Sequence, residues 1–211
     1  MRDVAGTHEL RAWAAKWLGD REVPEEFLQL AAIQDARLSG GPGRAALEAA
    51  RPAKAETEDA EVLEDMQDSS DPLDYLGIEI LGPRSAQGDG LARHVLDEQA
   101  NATVPHLATI LGHFLPAAEI VDYGIVYGYW LYPGEVWPPP VVCVDDEATF
   151  STARGRTLTE ALLAHNAEDD SEVALLGQWF TDLGVPVGVR TDAEIPDSPV
   201  RMDPQVLDRE L

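Results

Sequence analysis

Cysteine is almost missing from this chain: Cys143 is the only one, so no intrachain disulfide can form. Its apolar flanks read as a small core residue, and a nucleophilic role would need a partner histidine that no spacing supplies. No run of about 18 apolar residues exists, which excludes a transmembrane helix. The opening MRDVAGTHEL lacks the charged-then-apolar pattern of a secretion signal. Together these features predict a cytoplasmic protein with no membrane association. The sequence holds no GxSxG, no HExxH, no P-loop and no GxGxxG, and no internal repeat. No catalytic residue, cofactor or bound metal is therefore expected.

Basic residues are scarce as well. The 211 residues include 15 Lys and Arg against 39 Asp and Glu, for a net charge of −24. Residues 1–54 are balanced, with eight of each sign, whereas 55–104 hold two basic and 13 acidic residues and 105–211 hold five and 18. Such a surface repels phosphate backbones, which argues against nucleic-acid binding. It steers the chain towards a basic protein partner. The plainer alternative is that the charge serves only solubility or reflects a salt-adapted or acidic-proteome source.

What the chain does have is a dense β-forming centre, GIVYGYWLYPGEVWPPPVVCVDDEATF, from Gly124 to Phe150. β-Branched and aromatic side chains pack well on a pleated surface. Strands are expected over Ile125–Tyr132, Val141–Val144 and Ala148–Ser151, punctuated by Pro133-Gly134 and Pro138–Pro140. On the first strand Ile125, Tyr127, Tyr129 and Leu131 share one face, and Val126, Gly128, Trp130 and Tyr132 the other. Both faces are apolar, which predicts a central strand covered on both sides.

Around this centre the chain divides into an N-terminal helical segment (1–40), an acidic, Ala-rich and partly mobile connector (41–72), an α+β core (73–190) and an extended C-terminal tail (191–211). Helices are expected at His8–Leu18, ended by Gly19, and at Pro24–Leu38, burying Phe27, Leu30, Ala31 and Leu38 and stopped by the glycines at 40–43. The connector offers helices at Arg44–Arg51 and Glu56–Met66. A short strand at Gly77–Leu81 precedes a helix at Leu91–Glu98 capped by Asp89. Val104–Leu115 fits a short helix or an edge strand. Thr157-Leu158-Thr159-Glu160 matches a capping box for a helix reaching about His165. A second helix spans Ser171–Leu183, and Val185–Val189 reads as a last strand.

Asp145-Asp146-Glu147 is the most suggestive constellation. Three adjacent carboxylates could bind a divalent cation through oxygen, but neighbours on extended chain point to opposite faces, so a hairpin turn is the simpler expectation. His106 and His113 do not have ligand spacing, and His8, His94 and His165 are isolated. Arg154 and Arg156 beside a helix start could hold an anion or pair with local acids. The aromatic residues Tyr132 and Trp137, with Glu135 between them, could form an anchor patch rimmed by acid. The acidic run through Glu64, Asp65 and Asp68 could be a docking surface or only a solvated face.

From about Leu111 to Asn166 the order HFLPAAEIVDYGIVYGYWLYPGE, then VVCVDDEATF, then GRTLTEALLAH resembles the SUKH superfamily, a group of α+β domains that includes bacterial immunity proteins. The resemblance covers about a quarter of the chain. It implies an α+β fold with a mainly antiparallel, curved β-sheet packed by N-terminal and C-terminal helices. It also implies a non-enzymatic role, blocking a secreted toxin of nuclease type whose basic surface an acidic inhibitor can occupy. On this reading the partner-binding residues are Tyr132, Glu135, Trp137, Asp145, Asp146, Glu147, Glu64, Asp65 and Asp68. The alternatives are a metal-dependent enzyme using Asp145, Asp146 and Glu147 with a histidine, and a regulatory scaffold that recruits partners through its acidic segment.

Overall fold

A sheet of five antiparallel strands in sequential order forms the middle of the molecule. The computed structural model describes residues 5–52, 66–83 and 105–210. In chain order these form α1 (Ala5–Leu18), α2 (Glu25–Ser39), α3 (Gly41–Ala50), α4 (Pro72–Tyr75), β1 (Ile78–Ile80), α5 (Pro105–Gly112), β2 (Phe114–Ile120) and β3 (Ile125–Trp130). β4 (Val141–Val144), β5 (Phe150–Thr152), α6 (Leu158–Asn166), α7 (Asp170–Asp182) and α8 (Pro204–Glu210) follow. The fold is α+β, with an open antiparallel sheet and helices at both ends. No helix among the described residues is long and apolar enough to cross a membrane.

β3 is the central strand, and both its faces are covered. Tyr127, Tyr129 and Leu131 belong to the larger core cluster, which α1, α2, α6 and α7 complete through Leu10, Phe27, Leu162 and Phe180. Val126 and Trp130 belong to a second cluster beneath α5 and α8, with Ile110, Phe114, Val142 and Leu207. The pleat explains the partition, since alternate side chains on a strand point to opposite faces. Register carries it across the sheet: Tyr127 lies opposite Cys143, and Gly128 opposite Val142.

Four expectations need correction. Of the two alternatives for Val104–Leu115, the short helix holds, as α5, and the edge strand does not: Phe114 and Leu115 open β2, an interior strand between β1 and β3 that runs to Ile120. Its Pro116 is tolerated because the register shifts there, forming an irregularity where no ladder donor is needed. Val185–Val189 is not a strand; it is a loop whose Val185 and Val189 are buried against α7. Leu38 is exposed, at 69%. Finally, the extended tail expected over 191–211 ends in a helix. Ser198 donates its amide to the Ala153 carbonyl, Trp130 Nε1 donates to the Met202 carbonyl at 2.8 Å, and the chain closes in α8.

The connector glycines start α3 directly after α2, and Leu47 buries itself in the larger cluster. The expected helix at Leu91–Glu98 and most of Glu56–Met66 lie outside the described residues, though Met66 is fully buried.

Helix starts follow the sequence closely. Asp169 caps α7 by accepting from the Ser171 and Glu172 amides, and Thr157 Oγ1 accepts from the Glu160 amide at 3.2 Å. The second half of the capping box differs. Glu160 reaches past the cap residue to accept from the Arg156 amide at 2.8 Å. Two further orphan amides of α6 are taken by a distant residue: the Glu26 carboxylate accepts from Leu158 N at 2.9 Å and Thr159 N at 2.8 Å.

Candidate partner-binding surface

In an antiparallel sheet of sequential order, the β2–β3 turn and the β4–β5 turn lie at the same end. That end also holds the start of β1. It gathers the residues that charge and exposure single out. The β2–β3 connection is a single 3-10 turn, Val121–Tyr123, closed by Gly124 in the left-handed region at φ 58°. All three turn residues are exposed, Tyr123 by 67% and Val121 by 57%. A methyl group on Gly124 would touch Asp146 Cβ, which places the β4–β5 turn beside them.

That second turn carries Asp145-Asp146-Glu147. Asp145 Oδ1 accepts from the Glu147 amide at 3.0 Å and the Thr149 amide at 2.8 Å, and Ala148 takes a positive φ of 61°. The segment is the expected hairpin turn, with Asp145 spent on its own backbone. Asp146 and Glu147 are exposed. No group of three His, Cys, Asp or Glu among the described residues is arranged to hold a metal ion.

Next to Val121 and Asp122, a groove of about 570 Å³ opens between α2 and the edge of β1. Leu38, Leu73, Ile78 and Val121 give it apolar walls, and Asp74, Glu79 and Asp122 its charge. A smaller hollow of about 110 Å³ continues along the same strand and shares Gln34, Leu38 and Glu79 with it. Leu38, in the last turn of α2, lines this groove beside β1, the first strand of the sheet order, and is exposed. Gln34 lies across that edge. Its amide nitrogen donates to the Ile80 carbonyl and its oxygen accepts from the Ile80 amide, both at 2.7 Å. This satisfies the edge at Ile80, as exposed edges require. Ile78, two residues earlier, turns its peptide groups to the same side.

Among the described residues, one cation lines the groove. Arg37 stands 3.7 Å from Asp71 and 3.4 Å from Asp74. Burial pushes the Asp71 carboxyl up, with Arg37 opposing. Burial would also raise Asp74, but the Ser70 amide and hydroxyl and Arg37 outweigh it and hold its carboxyl below the usual range. Arg37 is thus committed to its neighbours. Among the described residues, Asp35, Glu79, Asp122 and Asp146 form no ion pair with a basic side chain.

The other sequence-selected residues lie elsewhere. Tyr132, Glu135 and Trp137 sit on the β3–β4 connection, at the opposite end of the sheet from Asp145–Glu147. Tyr132 is half-buried, its ring stacked on Trp130 at 6.2 Å and edge-on to His113 at 5.1 Å. The Glu135 carboxylate accepts from the Arg201 and Met202 amides, so it fastens the C-terminal segment. Trp137 is 45% exposed, and the group over its ring is a cation, Arg21 at 5.5 Å. Asp68 is exposed near α3, while Glu64 and Asp65 lie outside the described residues. The seven of these nine residues that are described therefore lie at separate places. Val121, Tyr123, Leu38 and Glu79 were missed, because only the strand register brings them together.

Arg154 is bound to Asp192 at 2.8 Å and to the carbonyls of Asp192 and Ile195, so it pairs locally and is not an anion site.

A polar relay crosses the sheet face near this end. Ser151 Oγ lies 3.2 Å from Cys143 Sγ, Cys143 lies against the Tyr127 hydroxyl, and Tyr127 lies 3.0 Å from His165 Nδ1. The histidine thus meets a tyrosine and not the thiol. Burial pushes the Cys143 thiol up, although Ser151 and Tyr127 oppose it. A protonated thiol is a poor nucleophile. Cys143 should react with a disulfide reagent at pH 8 far more slowly in the folded protein than in urea, and equal rates would contradict this account.

No protein-family model, no curated protein and no solved structure matches this chain.

Proposed function

We propose that this is a cytoplasmic, non-enzymatic binding protein that neutralises a basic partner, in the manner of an immunity protein facing a secreted nuclease-type toxin. The observation that carries this reading is the net charge of −24, with carboxylates that pair with no basic side chain among the described residues gathered around exposed Tyr123 and Val121 at one end of the sheet. An aromatic anchor with apolar neighbours and an acidic rim is what a hot spot for a basic surface looks like. The resemblance of residues 111–166 to the SUKH superfamily supports the same role.

The test is direct. A nuclease-type toxin domain encoded beside this protein's gene, made inactive by substitution, is mixed with the full chain and followed by calorimetry. A one-to-one complex is expected, together with loss of nuclease activity when the active domain is titrated. Absence of both would overturn the reading.

A further inference from the structure

We infer that the Tyr123 ring receives an arginine side chain of the partner, whose guanidinium lies on the open face of the ring with its edge towards carboxylate. This rests on the proposed function and narrows it to one kind of side chain at one place. Tyr123 is the most exposed aromatic among the described residues, at 67%. It stands on the short turn between β2 and β3, yet it is braced. Its ring lies 5.5 Å from that of His165, at an interplanar angle of 76°. His165 is tied in turn, through Nδ1, to the buried Tyr127 hydroxyl at 3.0 Å. Planes so nearly perpendicular cannot stack, so at least one face of Tyr123 stays open. The brace holds that face in place before a ligand arrives, which lowers the ordering cost of binding.

The chain shows on its own surface what such a ring takes. Lys16 Nζ lies 3.7 Å from the centre of the Trp17 ring, and the Arg21 guanidinium 5.5 Å from that of Trp137. Among the described residues, no cation stands over Tyr123. The face of an aromatic ring attracts cations, and the charge around this one adds to the pull. Asp122 precedes Tyr123 in the turn, and Asp146 stands beside Gly124. Neither forms an ion pair with a basic side chain among the described residues. Burial holds the His165 pKa below its usual value, so at neutral pH the neighbouring ring carries no charge to repel the guest. Arginine suits this place better than lysine. A planar guanidinium lies flat on a ring while its edge N–H groups donate to a carboxylate, whereas an ammonium is a point charge.

The probes are capped tripeptides with glycine on either side of arginine, lysine or citrulline, the last having arginine's shape without its charge. Each is titrated at neutral pH into the isotopically labelled full chain and followed by NMR. The arginine peptide should bind at least about threefold more tightly than the lysine peptide, and the citrulline peptide should not bind measurably. The δ-methylene protons of the bound arginine should move upfield, as protons over an aromatic face do. The largest amide shifts should fall at Val121–Gly124. Tyr123→Phe keeps the face and should keep the binding. Tyr123→Leu should weaken it at least about threefold and remove the upfield shift. Because Tyr123 is exposed, both variants should keep the melting temperature of the wild type. Equal binding of the arginine peptide by the wild type and Tyr123→Leu would overturn the site while leaving the charge-based function standing. Equal binding of the lysine and arginine peptides, or shifts centred on Trp137, would do the same. Binding by none of the peptides would also overturn the site, and the toxin titration would then decide the function separately.

Discussion

Gly128→Ala is expected to cost at least ~3 kcal/mol of stability, at the upper end of what overpacking does. Gly128 sits on β3 between Val126 and Trp130, on the face covered by α5 and α8. A side chain there would run into the Leu115 carbonyl oxygen and the Phe114 ring. Phe114 fills the space that the missing side chain leaves, and meets Phe150 edge-on at 5.5 Å. The obstruction by Phe114 could be relieved by trimming the ring. That by Leu115 could not, because the oxygen belongs to the neighbouring strand in the same ladder. Phe114→Leu combined with Gly128→Ala should therefore remain far below the wild type. For a chain of this size ~3 kcal/mol corresponds to a fall of roughly 6–12 °C in melting temperature. Thermal unfolding followed by circular dichroism would show it. A fall of under about 2 °C would mean the β2–β3 packing is wrong.

Glu26→Ala should be nearly as severe, at about 2–4 kcal/mol, because it strips two amides at the start of α6 of a charged acceptor. The residue belongs to α2, 132 positions away from Leu158 in sequence. It also lies beside the fully buried Tyr129 hydroxyl, whose ionisation burial and the nearby carboxylate both push far up. Glu26→Gln keeps one acceptor oxygen and loses the charge, so its cost should fall between zero and that of alanine. Urea midpoints for the two variants would establish the order. Equal and small effects for both would show that α6 is held by its Thr157 cap alone.

These two residues mark what was legible in the sequence and what was not. The two-faced reading of Ile125–Tyr132 was written in the alternation of large apolar side chains, and the structure divides them between two cores in that way. The cap residue Thr157 was equally plain, because a cap is a local signal, whereas Asp169 was not singled out as the cap that it is. Glu26 was not, because its acceptor role depends on how α2 packs against α6. β2 hid behind Pro116 and the weak β-formers Ala117 and Ala118, and only the irregularity opposite β3 makes a strand of it. The hairpin turn at Asp145–Glu147 was readable from its composition. The groove was not, since its walls come from α2, β1 and the β2–β3 turn. Leu38 continues the apolar stripe of α2, yet it stands exposed beside β1, the first strand of the sheet order.

The central claim is that uncompensated carboxylates at one end of the sheet do the recognising. The most direct measurement is the association rate constant with the inactive toxin domain at 50 and 500 mM salt. Steering by charge predicts a fall of about tenfold or more across that range, with a much smaller change in the dissociation rate. An association rate indifferent to salt would contradict the claim.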